Sequence, residues 1–327
     1  MRTSVIIPYY QRESGILRKA VRSALSQEGV PPPYIIVVDD ESPVPASSEL
    51  KSLFPSPDQQ LLVIEQPNQG PGGARNTGLD ALPNDCELIA FLDSDDEWEP
   101  NHLKNAMMAM DAGCDFYFSN HFDYSGETTR FGRLEALGTF RPGDHPTIFP
   151  DKPIRWFSGN FVDQLIRDFL VQTATVVLRR DLLGELRFPV DLKKSGEDHL
   201  FWLKISEKGP KIAFSEEIEC RLGLGVNIYE GSGWGTEGAL QRAVDYCGIN
   251  SLMRREFANS RDQNILLSER LAVCRREFIR ILIHDISRGR KVSWGLVSRQ
   301  LRYEPLTALT LFSEMARIAI EKISPKK

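Results

Sequence analysis

The sequence predicts an α/β fold with a mostly parallel central sheet flanked by helices, followed by a helical C-terminal extension. Three observations carry that prediction. The first hundred residues alternate short apolar runs of β character with amphipathic helical runs. Two of the apolar runs end directly in acids, as Val37-Val38-Asp39-Asp40 and Phe91-Leu92-Asp93-Ser94-Asp95-Asp96. Ligands of open parallel sheets collect outside the carboxyl ends of the strands. Beyond residue 220 a glycine-rich segment gives way to long helical patterns.

Taken in order, Val5-Ile6-Ile7-Pro8 reads as the first strand, and residues 14–27 space Ile16, Leu17, Ala20, Val21, Ala24 and Leu25 at helical intervals. Tyr34-Ile35-Ile36-Val37-Val38 follows as a strand buried on both faces. A Pro- and Ser-rich loop over 43–57 leads to the strand Leu61-Leu62-Val63-Ile64. Next come a Gly/Pro loop over 70–73, a short helix from about Ala74, and the strand Leu88-Ile89-Ala90-Phe91-Leu92. Pro100 suits the first turn of a helix over 101–112, and Asp115-Phe116-Tyr117-Phe118 reads as another strand. Residues 125–160, rich in Gly and Pro, show no clear period. Thr175-Val176-Val177-Leu178 reads as a strand, and the helix running to Ser206 has Glu197 and Asp198 as its first-turn acids. After the glycine-rich segment 223–238, helices are expected over 239–257, 264–287 and 306–323. In the last of these Leu309, Phe312, Met315, Ala316, Ala319, Ile320 and Ile323 form one apolar stripe.

With 327 residues, 41% hydrophobic and 26% charged, the chain is long enough for one large core plus an appendage. The apolar run at the N-terminus is too short for a signal-peptide core or a membrane span, which places the chain in the cytoplasm. Five scattered cysteines without a CxxC pair suggest reduced, buried thiols rather than a disulfide framework or a zinc site. The net charge of −5 is unevenly spread. Residues 251–327 hold 16 Lys and Arg against 8 Asp and Glu, leaving 24 against 37 for residues 1–250. A basic appendage on an acidic body suits peripheral contact with the inner membrane face or with an anionic ligand, and a solvated helical surface accounts for it equally well. No nucleic-acid partner is expected.

Four acids within five residues, Asp93 to Glu97, repel one another unless a cation sits among them. Asp-x-Asp at a strand end offers hard oxygen ligands with open positions, the arrangement by which Mg2+ or Mn2+ is held through one or two carboxylates plus substrate phosphates. A solvated loop whose acids favour the start of the next helix is the alternative. Upstream, Gly70-Pro71-Gly72-Gly73-Ala74-Arg75-Asn76 sets a glycine turn and a guanidinium at a helix start, which suits an anionic ligand. A plain helix cap explains the glycines but not Arg75. Tyr10 offers a face for a base to stack on, or a core ring. Asp39 offers an acceptor for an imide or ribose hydroxyl, or a turn carboxylate.

In order and spacing, Val5-Ile6-Ile7-Pro8-Tyr9-Tyr10, Val37-Val38-Asp39-Asp40-Glu41-Ser42, Gly72-Gly73-Ala74-Arg75-Asn76 and Phe91-Leu92-Asp93-Ser94-Asp95-Asp96 resemble the motifs of the family 2 glycosyltransferases with the GT-A fold. Ser195-Gly196-Glu197-Asp198-His199-Leu200-Phe201-Trp202-Leu203 resembles the segment that supplies this family's catalytic base. The resemblance covers residues 1–220 and is narrowest toward bacterial exopolysaccharide glucosyltransferases of the succinoglycan type. It implies a catalytic domain over 1–220, with nucleotide-sugar binding in 1–112 and acceptor and base in 113–220, and an extension over 221–327.

By the same resemblance, Pro8 and Tyr10 line the uracil pocket, Asp39 binds the base and Arg75 contacts the nucleotide. Asp93 faces the ribose side and Ser94 belongs to the nucleotide-binding set, while Asp95 and Asp96 reach the metal, Mn2+ or Mg2+, and the diphosphate. Asp198 is the general base, with Glu197 beside it. The donor implied is a UDP-sugar and the acceptor a saccharide, free or lipid-linked. Two positions depart from the family pattern: Glu41 stands where Gly is usual, and Lys204 where Arg is common. The segment 223–238, with Tyr229 and Trp234, is a candidate lid or a plain linker. The C-terminal helices suit the inner membrane face, a homodimer contact, or packing on the catalytic domain. A phosphatase using Asp93 and Asp95 leaves Asp39 and Arg75 without roles, and a nucleotide-sugar binding module without catalysis would lack Asp198.

Overall fold

The structure, a computed structural model, describes residues 1–51, 60–122, 126–192, 196–223 and 233–323. The chain divides into two compact units, Met1–Val190 with Phe201–Val226, and Asp191–Leu200 with Asn227–Lys327.

Among the described residues the first unit is built on one ten-stranded sheet. Strands β1 (Thr3–Tyr9), β2 (Tyr34–Asp39), β3 (Leu61–Glu65) and β4 (Leu88–Phe91) are mutually parallel in the spatial order β3-β2-β1-β4. The sheet also takes in β5 (Glu97–Trp98), β6 (Phe116–His121), β7 (Thr147–Phe149), β8 (Lys152–Trp156), β9 (Val177–Arg179) and β10 (Ile212–Arg221). Beyond β4 the order is β9-β6-β10-β8-β7, with β5 pairing off the path onto β10. The short β9 is antiparallel to both β4 and β6, and β6 and β10 are again parallel. The expected strand over Thr175 to Leu178 begins later than predicted, because Thr173–Thr175 form a turn of 3-10 helix.

The continuous apolar runs of β1, β2 and β4 are buried because helices cover both faces of the sheet. Helix α1 (Ile16–Leu25) buries Leu17, Ala20, Val21 and Ala24, the stripe its spacing predicts. Alternate β2 residues serve two cores. Ile35 and Val37 pack with α1 and with α2 (Ala46–Leu50), while Ile36 and Val38 pack with Ala74 of α3 (Gly70–Asp80). Helix α4 (His102–Asp111) follows β5.

Residues 125–160, without a readable period, hold α5 (Arg130–Ala136) and the β7–β8 hairpin. That hairpin closes one side of the sheet, with β7 outermost and β8 between it and β10, and both strands are largely half-buried. Then come α6 (Phe161–Arg167), α7 (Arg180–Leu183) and α8 (Glu197–Ser206), and the division between the units passes through α8. In the first unit Trp202 of α8 packs edge-on against Phe91 and Phe116, and Phe201 stacks on Phe188 at 3.8 Å.

The α3 helix begins at Gly70 rather than near Ala74, so Gly72 and Gly73 lie inside its first turn instead of in a preceding loop. Pro71, the second residue of the helix, lies in the first turn, where its missing N–H costs nothing, and Gly70 before it takes a left-handed φ of 79°. Farther along, a Cβ on Gly78 would stand 2.5 Å from Ile6 Cγ2, so α3 lies against β1 closer than any other residue permits.

The second unit holds α9 (Ala239–Glu256), α10 (Arg261–Ser287), α11 (Trp294–Tyr303) and α12 (Leu306–Ile323). Ser260 and Gln263 form a reciprocal capping box at the start of α10. Leu240, Val244, Phe278 and Ile279 form the core between α9 and α10. Helix α11 was not legible as a pattern. Its buried residue, Gln300, donates to Thr307 Oγ1 at 3.0 Å and to Cys247 Sγ at 3.2 Å, while Leu296, Val297 and Tyr303 pack half-buried against the α9–α10 core. All five cysteines are free and buried, as expected. Among the described residues no helix is long and apolar enough to cross a membrane.

In an ordinary helix interior Gly→Ala stabilises. Gly78→Ala is expected to do the reverse, lowering stability by about 1–3 kcal/mol through overpacking against Ile6, as read by urea denaturation.

Candidate active site

The site begins where β2 ends. Asp39 and Asp40 are both buried, and successive strand residues point to opposite faces. Asp39 lies on the α2 side. Its Oδ1 accepts the Ser42 N–H and its Oδ2 the Ala46 N–H, each at 2.8 Å. Asp40 lies on the α3 side. Its Oδ1 accepts from Gln69 N at 2.9 Å and Gln66 Nε2 at 2.7 Å, and its Oδ2 from Gly70 N at 2.8 Å. Asp39 is thus a turn carboxylate that retains further acceptor directions, and Asp40 is a helix-capping group that sequence reasoning missed. Glu41 is the one described non-glycine residue with positive φ, 62°, where an L side chain crowds its own backbone. Glycine would adopt that conformation without the penalty.

Pro8 pairs with Val38 in the β1–β2 ladder, and Pro8 and Tyr10 are half-buried on either side of Tyr9. Tyr9 is the core ring of this stretch, and burial pushes its phenol up to about 12. Gln11 joins the strand ends. Its N–H donates to Ser42 Oγ at 2.8 Å, and its Nε2 donates to Ser94 Oγ at 3.0 Å.

Arg75, on α3, is 4% exposed, and its Nη2 donates to Asp93 Oδ1 at 2.7 Å. The guanidinium lies 5.5 Å over the Phe188 ring. Asn76 fixes that ring's backbone reciprocally, donating to Phe188 O at 2.9 Å and accepting from Phe188 N at 2.8 Å. Asp93 to Asp96 form a tight turn beyond β4, closed by Asp96 N–H on the Asp93 carbonyl at 3.0 Å. Asp96 is 4% exposed, and its Oδ1 accepts the Gly223 N–H at 2.8 Å. Burial first, then the charges of Asp93 and Asp95, raise the Asp96 carboxyl well above the usual range; the Gly223 N–H and Arg75 act in the opposite sense. Gly223 sits so close that a Cβ there would overlap the Asp95 carbonyl oxygen.

This donor set fits a divalent cation chemically. It is all oxygen, it carries excess negative charge, and a buried carboxylate in it is disfavoured as an anion. Among the described residues no three His, Cys, Asp or Glu side chains converge into a ready cage, so a cation there would need ligands from elsewhere. Two clefts, of about 670 and 610 Å3, lie beside the amino ends of β10 and β4 and contain none of these residues.

The second acid pair belongs to the second unit. Gly196 takes a left-handed φ of 87°, and a Cβ there would overlap Ile249 Cδ1 of α9, so only glycine fits before Glu197. Glu197 is buried, while Asp198 is half-buried and its Oδ1 accepts the His199 N–H at 2.7 Å. Ser195 and Tyr229 lie outside the described residues, as does most of the candidate lid. Trp234, within it, is exposed and its ring lies 5.4 Å from that of His284.

A mixed, mostly parallel sheet with carboxylates gathered beyond the carboxyl ends of β2 and β4 is an α/β fold with its candidate site in the strand-end crevice. Residues 4–185, more than half of the chain, match glycosyl transferase family 2, and the chain belongs to that family. It is therefore a glycosyltransferase, which removes the phosphatase alternative. A relative is the succinoglycan biosynthesis protein ExoW of Rhizobium meliloti, 29% identical over 325 residues and covering 98% of each chain. Among solved structures, S. aureus TarS 1–349 in complex with UDP-GlcNAc superposes with a TM-score of 0.58 at 20% identity, covering 93% of this chain and 79% of that one. The mannosyltransferase PcManGT of Pyrobaculum calidifontis in complex with GDP-Man and Mn2+ gives 0.54 at 16% identity, covering 100% and 88%.

Two substitutions test this geometry. Glu41→Gly is expected to stabilise the protein by about 0.5–1 kcal/mol, read as a raised denaturation midpoint, because glycine carries no left-handed penalty. Since the Asp96 carboxyl is raised in the folded state, its ionised form weakens folding at neutral pH. Asp96→Asn should therefore raise the melting temperature of the metal-free protein at neutral pH, with the gain vanishing as the pH is lowered, as read by scanning calorimetry.

Proposed function

We propose that this glycosyltransferase moves a hexose, specifically glucose, from a UDP-sugar to a lipid-linked saccharide with inversion at the anomeric carbon, as a step in exopolysaccharide assembly. The observation that supports it most is the carboxylate turn Asp93–Asp96, negatively overloaded and placed outside a parallel strand end. Similarity to a succinoglycan biosynthesis protein over nearly the whole chain supports the pathway class, and the UDP-GlcNAc complex of TarS supports the nucleotide.

In this reading Pro8 and Tyr10 flank the uracil and Asp39 accepts its imide hydrogen. Asp93, held by Arg75, and Ser94, held by Gln11, take the ribose side. Asp95 and Asp96 would hold Mn2+ or Mg2+, which would supply positive charge against the leaving diphosphate. Asp198 takes the proton of the acceptor hydroxyl as its oxygen bonds to the anomeric carbon and the bond from that carbon to the diphosphate breaks. UDP leaves, and an α-linked donor yields a β-linked product. Glu197 orients Asp198 or the acceptor.

The exposed apolar face of α12, with Leu309 and Phe312 about four-fifths exposed, and the basic balance of residues 251–327 suit the inner face of a membrane carrying the acceptor lipid. A homodimer is the other occupant of that face.

Asp198→Asn is expected to keep UDP-sugar affinity within about twofold while turnover falls by about 10²–10⁴. Calorimetry and a product assay across UDP-, GDP- and TDP-sugars check both parts. Unchanged turnover in that variant would remove Asp198 as base, and transfer from GDP-sugars alone would remove the donor.

A further inference from the structure

Glu219, on β10, is a wholly buried carboxylate that the proposed chemistry does not use. Its Oε2 pairs with His102 Nδ1 at 2.9 Å, and its Oε1 accepts Asn105 Nδ2 at 2.7 Å and the Tyr117 hydroxyl at 2.8 Å. His102 and Asn105 come from α4 and Tyr117 from β6, so one carboxylate ties three elements. The Trp98 ring packs on His102 at 4.6 Å, and the Glu219 carbonyl accepts the Glu99 N–H at 2.9 Å.

These contacts bear on the carboxylate turn through two short segments. Trp98 and Glu97, directly after Asp96, pair with Cys220 and Arg221, directly after Glu219. Two residues farther on, the Gly223 N–H meets Asp96 Oδ1, and its α-carbon abuts the Asp95 carbonyl. The register of β10 against β5 therefore decides whether that donor reaches Asp96. Sheet pairing alone fixes it weakly, since β5 is two residues long and β10 breaks register with β6 at Ser215/Ile218 and again at Ile218/Cys220. Bulges of this kind re-aim side chains and invite slippage unless something pins them. Glu219 meets its three donors in a single register.

We propose that Glu219 is a positioning residue for the diphosphate and cation site. Held by His102, Asn105 and Tyr117, it locks β10 so that Gly223 presents its N–H to Asp96 and its backbone to Asp95. A well-packed apolar residue would serve stability as well as a buried carboxylate does, so the gain from the charge is registration. The inference rests on the reading of Asp95 and Asp96 as the donor-phosphate site.

The test uses the full chain with Glu219→Ala, which removes the anchor, and Glu219→Gln, which keeps its volume but sets an amide against donors. The first readout is amide hydrogen exchange in metal-free, nucleotide-free protein; the second is UDP binding with Mn2+ by calorimetry. In Glu219→Ala the Gly223 amide should exchange about tenfold or more faster and UDP should bind about tenfold or more weaker, with β1 and β2 amides unchanged. Glu219→Gln should shift both in the same direction by less, and it decides the matter if Glu219→Ala does not fold. Wild-type exchange at Gly223 in a folded variant overturns the proposal, as does uniform acceleration across all strands. A wild-type protein that fails to bind UDP with Mn2+ removes the donor-site reading instead, leaving the exchange measurement to judge the clamp.

Discussion

Like charge crowded at the end of one strand is the constraint on which the surrounding arrangement depends. Asp93, Asp95 and Asp96 follow β4 within five residues, and Asp96 is taken almost wholly out of water. The protein answers with fixed groups: the Arg75 guanidinium on Asp93 and the Gly223 N–H on Asp96. Both come from elsewhere in the chain, and each is only as well placed as the element that carries it. Arg75 is set by α3, which Asp40 caps and Gly78 lets down onto β1. Both donors are spent on the carboxylates themselves, so they offset charge that the turn carries at rest.

At Gly73, Gly78, Gly196 and Gly223 the absent side chain serves close approach. The Gly72-Gly73 pair reads locally as a phosphate-cradling turn, yet both residues lie inside α3, where a Cβ on Gly73 would stand 2.5 Å from the Gln69 Cβ. Gly196 and Gly223 likewise leave no room for a side chain, one against Ile249 and the other against Asp95. In each case the partner is protein.

What could be read from sequence follows from how local the cause is. The apolar runs of β1, β2 and β4 and the stripe of α1 are properties of a few consecutive residues, and they appear where expected. The start of α3 and the place of α11 depend on partners far along the chain, such as Asp40 for Gly70 and Cys247 for Gln300, and the hairpin within residues 125–160 pairs with the distant β10. The acid clusters were legible as a site because adjacent like charges at a strand end are costly to hold without a cation or a cationic group to offset them. Their supports were not. Glu219 lies 117 residues from His102 and 102 from Tyr117, and nothing in either neighbourhood announces the other.

The turn after β2 shows how these demands meet in one place. Pleating sends Asp39 and Asp40 to opposite faces, so two consecutive carboxylates capture the first backbone N–H groups of two helices, Ala46 of α2 and Gly70 of α3. Both captures need the strand to stop at once and the chain to turn away before Ser42 can donate back to Asp39. Right-handed or extended backbone at residue 41 would continue the strand or begin a helix. The left-handed conformation at Glu41 breaks both, at a cost of about 1 kcal/mol. Its carboxylate recovers a small part of that through the exposed Asn68 N–H at 3.2 Å. Strain at this residue is therefore a consequence of using one strand end to orient both helices, and α3 is the helix that delivers Arg75 to Asp93.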